Sequence, residues 1–116
     1  MTITNALAGI AVDDLAAVLA WYEQVFGRPA DARPLADIAE WKFATGGWVQ
    51  VFTDSDRAGA STVTLIVDDL AALVTDLASR DIAPVSKRIG DYVKTAIFRD
   101  PDGNQLIFTQ PLKNTY

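Results

Sequence analysis

The hexapeptide VDDLAA occurs twice, at Val12–Ala17 and Val67–Ala72, an offset of 55 in a chain of 116 residues. A chain that repeats itself once over half its length has to place two equivalent units side by side. There is no third copy that would extend it into a solenoid. The likeness runs outward from the identity, with LAGIAVDDLAAVLAWY lying over TVTLIVDDLAALVTDL. In each copy a short apolar, β-prone run leads into Asp-Asp, and helical periodicity follows.

The first helix sets Leu15, Val18, Leu19, Tyr22, Val25 and Phe26 on one face and stops at Gly27, with Pro29 just beyond. The second sets Leu70, Leu73, Val74 and Leu77 on one face and is expected to end near Arg80. Asp13, Asp14, Asp68 and Asp69 stand where the helices begin. There a carboxylate accepts from free backbone N–H groups and faces the positive end of the helix dipole. A paired-carboxylate metal or acid/base site is the sharper alternative, and capping accounts for the four without it.

Strands follow each helix. Ala30 to Pro34 reads as a short irregular strand, and ADIAEWKFAT with WVQVFT as a hairpin turning at Gly46-Gly47. In the second half IAPVS reads as a short strand, and DYVKTAIFR with NQLIFTQ as a hairpin around Asp100-Pro101-Asp102-Gly103-Asn104. The polar segment Thr53–Ser61 suits a linker. The expected architecture is α+β: two tandem βαβββ modules whose curved mixed sheets surround a cleft. Module one covers 1–54, the linker 55–61 and module two 62–116.

Composition narrows the chemistry. Half the residues are hydrophobic and 22% are charged, the balance of a folded domain. With no cysteine, thiolate chemistry and zinc–thiolate sites are excluded; with no histidine, so are a Ser-His-Asp triad and imidazole metal ligation. The net charge of −5 argues against nucleic acid as a partner. No apolar run is long enough to cross a bilayer, and MTITNALAGI has neither a basic n-region nor a cleavage site, so a cytoplasmic protein is expected. So short a chain buries a limited share of its surface, and a homodimer is expected.

The stretches GIAVDDLAAVLAWYEQVFG, TLIVDDLAALVTDLASRDI and FRDPDGNQLIF resemble the vicinal oxygen chelate superfamily, which includes glyoxalase I, extradiol dioxygenases, methylmalonyl-CoA epimerase and the bleomycin-resistance proteins. The resemblance implies paired modules around an open cleft, with metal held by His, Glu or Gln on the strands lining it in members that use one. Carried over residue by residue, those ligand positions fall on Leu7, Gln50, Thr62 and Ile107. The register aligns Phe43 with Phe98 at the offset of 55 and makes the first hairpin turn two residues shorter, pairing Gln50 with Ile107. Two aliphatic side chains, a hydroxyl and a carboxamide are a poor set for a divalent cation, so no metal and no cofactor is expected.

The leading expectation is therefore a metal-independent, small-molecule-binding protein of the bleomycin-resistance type. Trp41, Phe43, Trp48, Gln50, Thr62 and Tyr92 are the candidate ligand contacts, with Trp21 at the helix edge. Strand alternation puts Trp48 and Gln50 on a shared face, and likewise Trp41 and Phe43; the alternative role for these aromatics is core or dimer interface. Lys87 and Arg88 are read as solvated, with an anionic ligand group as their alternative partner, and Thr64 as a strand former or anchor. The second functional reading is a lyase or isomerase with an atypical site, drawing an acid or base from Glu40, Asp91 or Tyr92, none of which the sequence singles out as catalytic. A third is a degenerate module acting as a regulatory subunit.

Overall fold

A computed structural model describes residues 2–112; the last four positions of module two lie outside the described residues. The order is β1 (Leu7–Val12), α1 (Leu15–Phe26), β2 (Ala32–Leu35), β3 (Ile38–Lys42), β4 (Trp48–Thr53), then β5 (Thr62–Ile66), α2 (Leu70–Ala78), β6 (Ser86–Ile89), β7 (Val93–Arg99) and β8 (Gln105–Pro111). Each half is βαβββ, and the sheets run β1-β4-β3-β2 and β5-β8-β7-β6. In each, the strand before the helix pairs parallel to the last strand, and the remaining pairings are antiparallel. No helix among the described residues is long and apolar enough to cross a membrane.

The VDDLAA repeat does the same work twice. Asp14 and Asp69 are the N-caps, their carboxylates accepting from Ala16 N–H at 3.1 Å and Ala72 N–H at 3.0 Å. The next free donor is met from the far end of each sheet: Leu15 N–H donates to Thr53 Oγ1 and Leu70 N–H to Gln110 Oε1. Only the second acid of each pair caps, because Asp13 still lies ahead of the turn and donates its own N–H to Asp102. Gly27 closes α1 at φ 76°, in the left-handed region where a Cβ is costly. The second helix ends at Ala78 with Ser79 as its cap, close to the expected Arg80, in a turn that leaves Asp81 at φ 60°.

Two expectations of strand placement change. IAPVS is not the strand; β6 begins at Ser86, because Pro84 has no N–H for a ladder and Ile82 is buried. The hairpin turns are also equal in length. Phe43 N–H donates to Gly47 O and Asp100 N–H to Asn104 O, so beyond the turns the copies run at an offset of 57. Lys42 pairs with Trp48 and Arg99 with Gln105 at that offset, and the counterpart of Phe98 is Trp41 rather than Phe43. Net, two extra residues enter before β7, where the β6–β7 connection is the longer one. Pairing Gln50 with Ile107 is unaffected.

Both helices cover the same side of their sheets, and one core joins the halves: Ile10, Tyr22, Trp41 and Val51 from the first, Val63, Leu77, Phe98 and Leu106 from the second. A buried polar clasp sits where the modules meet. Asn104 donates from Nδ2 to Ala11 O at 2.8 Å and to Asp100 Oδ2 at 2.7 Å, and its Oδ1 accepts from Ser61 N–H;. The Tyr22 hydroxyl donates to Asp100 Oδ2 at 2.6 Å, and Ser61 Oγ accepts from Ala11 N–H. The connecting segment lies flush on this turn: a Cβ on Gly59 would stand 2.5 Å from Asp102 O.

Burial first, then the hydrogen bond to Asp100 and the charges of Asp100 and Asp102, push the Tyr22 phenol far above its ordinary range. A group whose folded pKa is raised contributes its stability fully below the unfolded value, about 10 for tyrosine, and loses it as pH climbs above that. Tyr22→Phe is therefore less stable than the parent at neutral pH. Thermal melts followed from pH 8 upward should show the gap between the two narrowing beyond about pH 10. A gap of constant width would dismiss the role assigned to this phenol.

Candidate functional site

Each sheet has one side under a helix and one side bare. Pairing sets three rows across the bare side of module one: Leu7–Trp48–Lys42, Gly9–Gln50–Glu40 and Ala11–Phe52–Ile38. The matching rows of module two are Thr62–Gln105–Arg99, Thr64–Ile107–Ile97–Ser86 and Ile66–Thr109–Thr95–Arg88. On the first face Gln50 Nε2 donates to Glu40 Oε2 at 2.7 Å, and Lys42 Nζ stands 5.9 Å from the centre of the Trp48 ring. Gln50 is thus already engaged by a neighbour.

Leu7, Gln50, Thr62 and Ile107 all fall on these bare faces. They do not fit a divalent cation, since none is anionic and two offer no donor atom at all. Glu40 adds one carboxylate next to Gln50, and among the described residues no group of three or more His, Cys, Asp or Glu is gathered that could hold a metal.

The concavity with apolar walls lies elsewhere. The edge strands β1 and β5 meet at the Ala11–Ser61 bond, and a cavity of about 510 Å³ opens between the start of β1 and the end of β5. Ala6 and Ala8 line one side, Val63 to Val67 the other, with Val25, Phe26 and Leu73 from the helices and Phe43, Trp48 and Phe108 completing the wall. Among the described residues, not one that lines it is ionisable, and the polar side chains are Thr45 and Thr64. Because β1 and β5 are edge strands, each has a side free of ladder partners from which backbone N–H and C=O groups can serve a ligand. The volume is that of a small-molecule site.

Of the residues expected at a ligand, Phe43 and Trp48 come together at this cavity. Gln50 and Thr62 are on the bare faces of different modules. Trp41 has no exposed surface; its ring packs on Phe26 at 5.0 Å and Tyr22 at 6.2 Å, and its Nε1 donates to Arg28 O. Tyr92 stands 62% exposed between β6 and β7, its carbonyl accepting from Leu112 N–H. Sequence reasoning missed Ala6, Ala8 and the helical Phe26. The signal was present in the repeat: Ala8 is the counterpart of Val63, a small residue in a row where its twin is bulky.

The sequence matches the Glyoxalase/Bleomycin resistance protein/Dioxygenase superfamily over residues 4–108. No curated protein sequence matches the chain. Among solved structures, a glyoxalase/bleomycin resistance protein from Catenulispora acidiphila is 29% identical, covering 93% of this chain and 98% of its own at a TM-score of 0.86. An antibiotic binding protein from a Streptomyces species is similar at 22% identity, 96% and 98% coverage and a TM-score of 0.80. A bleomycin-binding protein solved with bleomycin follows at 20%, 93% and 98%, and 0.75; these last two show likeness of fold. A family match spanning nearly the whole βαβββ pair settles the kinship: this chain is a member of the Glyoxalase/Bleomycin resistance protein/Dioxygenase superfamily.

Proposed function

We propose that this protein sequesters a small, uncharged, partly aromatic molecule in the cavity between its modules, without metal and without catalysis. The observation that carries this reading is that, among the described residues, no ionisable side chain lines a cavity walled by Phe26, Phe43, Trp48, Leu65 and Phe108. Such a lining offers van der Waals contact and ring stacking, and it has no side chain to take up or release a proton near neutral pH. The antibiotic-binding relatives make sequestration a natural use for the fold. A second copy covering the bare sheet faces accounts for exposed Leu7 and Ile66, and the homodimer is part of the proposal. An atypical lyase or isomerase is the second reading, favoured by the half-buried Glu40 carboxylate held by Gln50 on the bare face.

The test pairs two measurements. Titration with naphthalene and indole should change Trp48 emission, and Ala8→Phe, which fills the cavity, should weaken the response about ten-fold, or about 1.4 kcal/mol. Native mass spectrometry of protein from its own host should show a dimer carrying an unaltered organic ligand. Emission indifferent to both compounds, equal affinity in Ala8→Phe, or stoichiometric Ni, Zn, Fe or Mn would each overturn the reading.

A further inference from the structure

The second module has a concavity with cations in its lining. Beside the first two turns of α2, a cavity of about 620 Å³ opens against β6 and β7. Leu70, Ala71 and Val74 of the helix and Ile89 of the edge strand give it an apolar body; Thr75 and Thr95 add hydroxyls. Its charged lining is Lys87, Arg88 and Lys94, with no carboxylate among the described residues that line it.

Three cations around one apolar hollow are unexpected in a chain of net charge −5. Alternation turns Lys87, Ile89 and Lys94 to the helix side, because Lys87 pairs with buried Ala96 and Ile89 with Lys94. The ion pairs among the described residues are Arg28–Asp31, Arg57–Asp54 and Arg80–Asp76, so none of the three cations is neutralised by a neighbour. The duplicated half shows the contrast. Ser86 pairs with Ile97 as Ala32 pairs with Glu40, making Arg33 the counterpart of Lys87 and Asp37 that of Lys94. Arg33 is occupied by the carbonyls of its own turn, Ile38 O at 3.0 Å and Ala36 O at 2.8 Å. The cationic hollow therefore belongs to the second copy alone.

We propose that this hollow binds a small amphipathic anion, a carboxylate or sulfate on an apolar body. The anionic head lies between Lys87 and Lys94, and the apolar part lies along Leu70, Val74 and Ile89. Solvated lysines hold a bare anion weakly in salt, and an apolar wall holds a neutral chain weakly; the two together select a molecule carrying both. A concavity of this volume suits a small molecule. The site is separate from the inter-module cavity, and its failure would leave that reading standing.

The experiment is an amide NMR titration of the full chain with octanoate, 1-octanol and acetate. Octanoate should shift Leu70, Ala71, Val74, Ile89 and Lys94 and bind about ten-fold tighter than either of the others. Lys87→Gln/Lys94→Gln, at positions that serve no core contact, should weaken octanoate about ten-fold and leave 1-octanol unchanged. Octanoate shifts confined to the inter-module cavity, equal affinity for octanoate and 1-octanol, or a double variant that binds octanoate like the parent would each overturn the proposal. Co-sedimentation with phosphatidylglycerol vesicles without octanoate binding in solution would instead assign the cations to a membrane surface, and would overturn it too.

Discussion

Trp41→Ala is expected to cost about 4 kcal/mol, the range for truncating a buried Trp to Ala, against a total of about 5–15 kcal/mol for a domain of this kind. The ring has no exposed surface and is enclosed by Tyr22 and Phe26, so nothing nearby collapses cheaply into the space. Its Nε1–H also satisfies Arg28 O, which truncation leaves without that partner. Urea melts should place the midpoint lower by roughly 2–4 M for a small domain. Trp48→Ala, at a half-buried position, should cost a fraction of that and act on ligand retention instead. A small loss for Trp41→Ala, with ligand binding abolished, would return this residue to the binding surface.

The second large effect is expected at Asn104, whose side chain makes three bonds while fully buried: to Asp100, to Ala11 of the first module and to Ser61 of the connection. Asn104→Ala removes all three and leaves Ala11 O, Ser61 N–H and one side of the Asp100 carboxylate unmet. Each orphaned buried group costs about 1–3 kcal/mol, so a loss near 3 kcal/mol is a conservative expectation and a fall in Tm of roughly 10–20 °C should accompany it. The same substitution frees the apex at which β1 and β5 meet, so naphthalene binding in the cavity beyond should fall as well. Calorimetry and the emission titration on one variant check both. Unchanged binding alongside lost stability would separate the clasp from the cavity.

Much of the fold is legible in the residues because it is local. The caps, the apolar helix faces, the Gly27 stop and the DPDGN turn each rest on a few neighbouring positions, and the repeat checks one half against the other. What is not legible depends on length or distance. Aligning Phe43 with Phe98 misses a difference that enters before β7 and mistakes the partner of Trp41. IAPVS has the composition of a strand, and only the missing N–H of Pro84 and the burial of Ile82 move the ladder to SKRI. The candidate site is harder still. Alternation gives the face of Gln50 and Trp48 correctly, yet nothing in a linear reading says that the edges of β1 and β5 diverge and leave Phe26, Phe43 and Trp48 around one cavity. Lys87 was legible as solvated and illegible as one wall of a hollow, which depends on how the first turns of α2 lie against β6 and β7.

The clasp also fixes an order of assembly on the ribosome. Tyr22 and Ala11 are made early, but their partners Asp100 and Asn104 lie 78 and 93 residues further along the chain. Until the last hairpin emerges, the first module carries a phenol and a carbonyl with nothing to meet them, and its half of the shared core stands open. Nascent chains halted before Asp100 should therefore be protease-sensitive throughout, including in the half already complete.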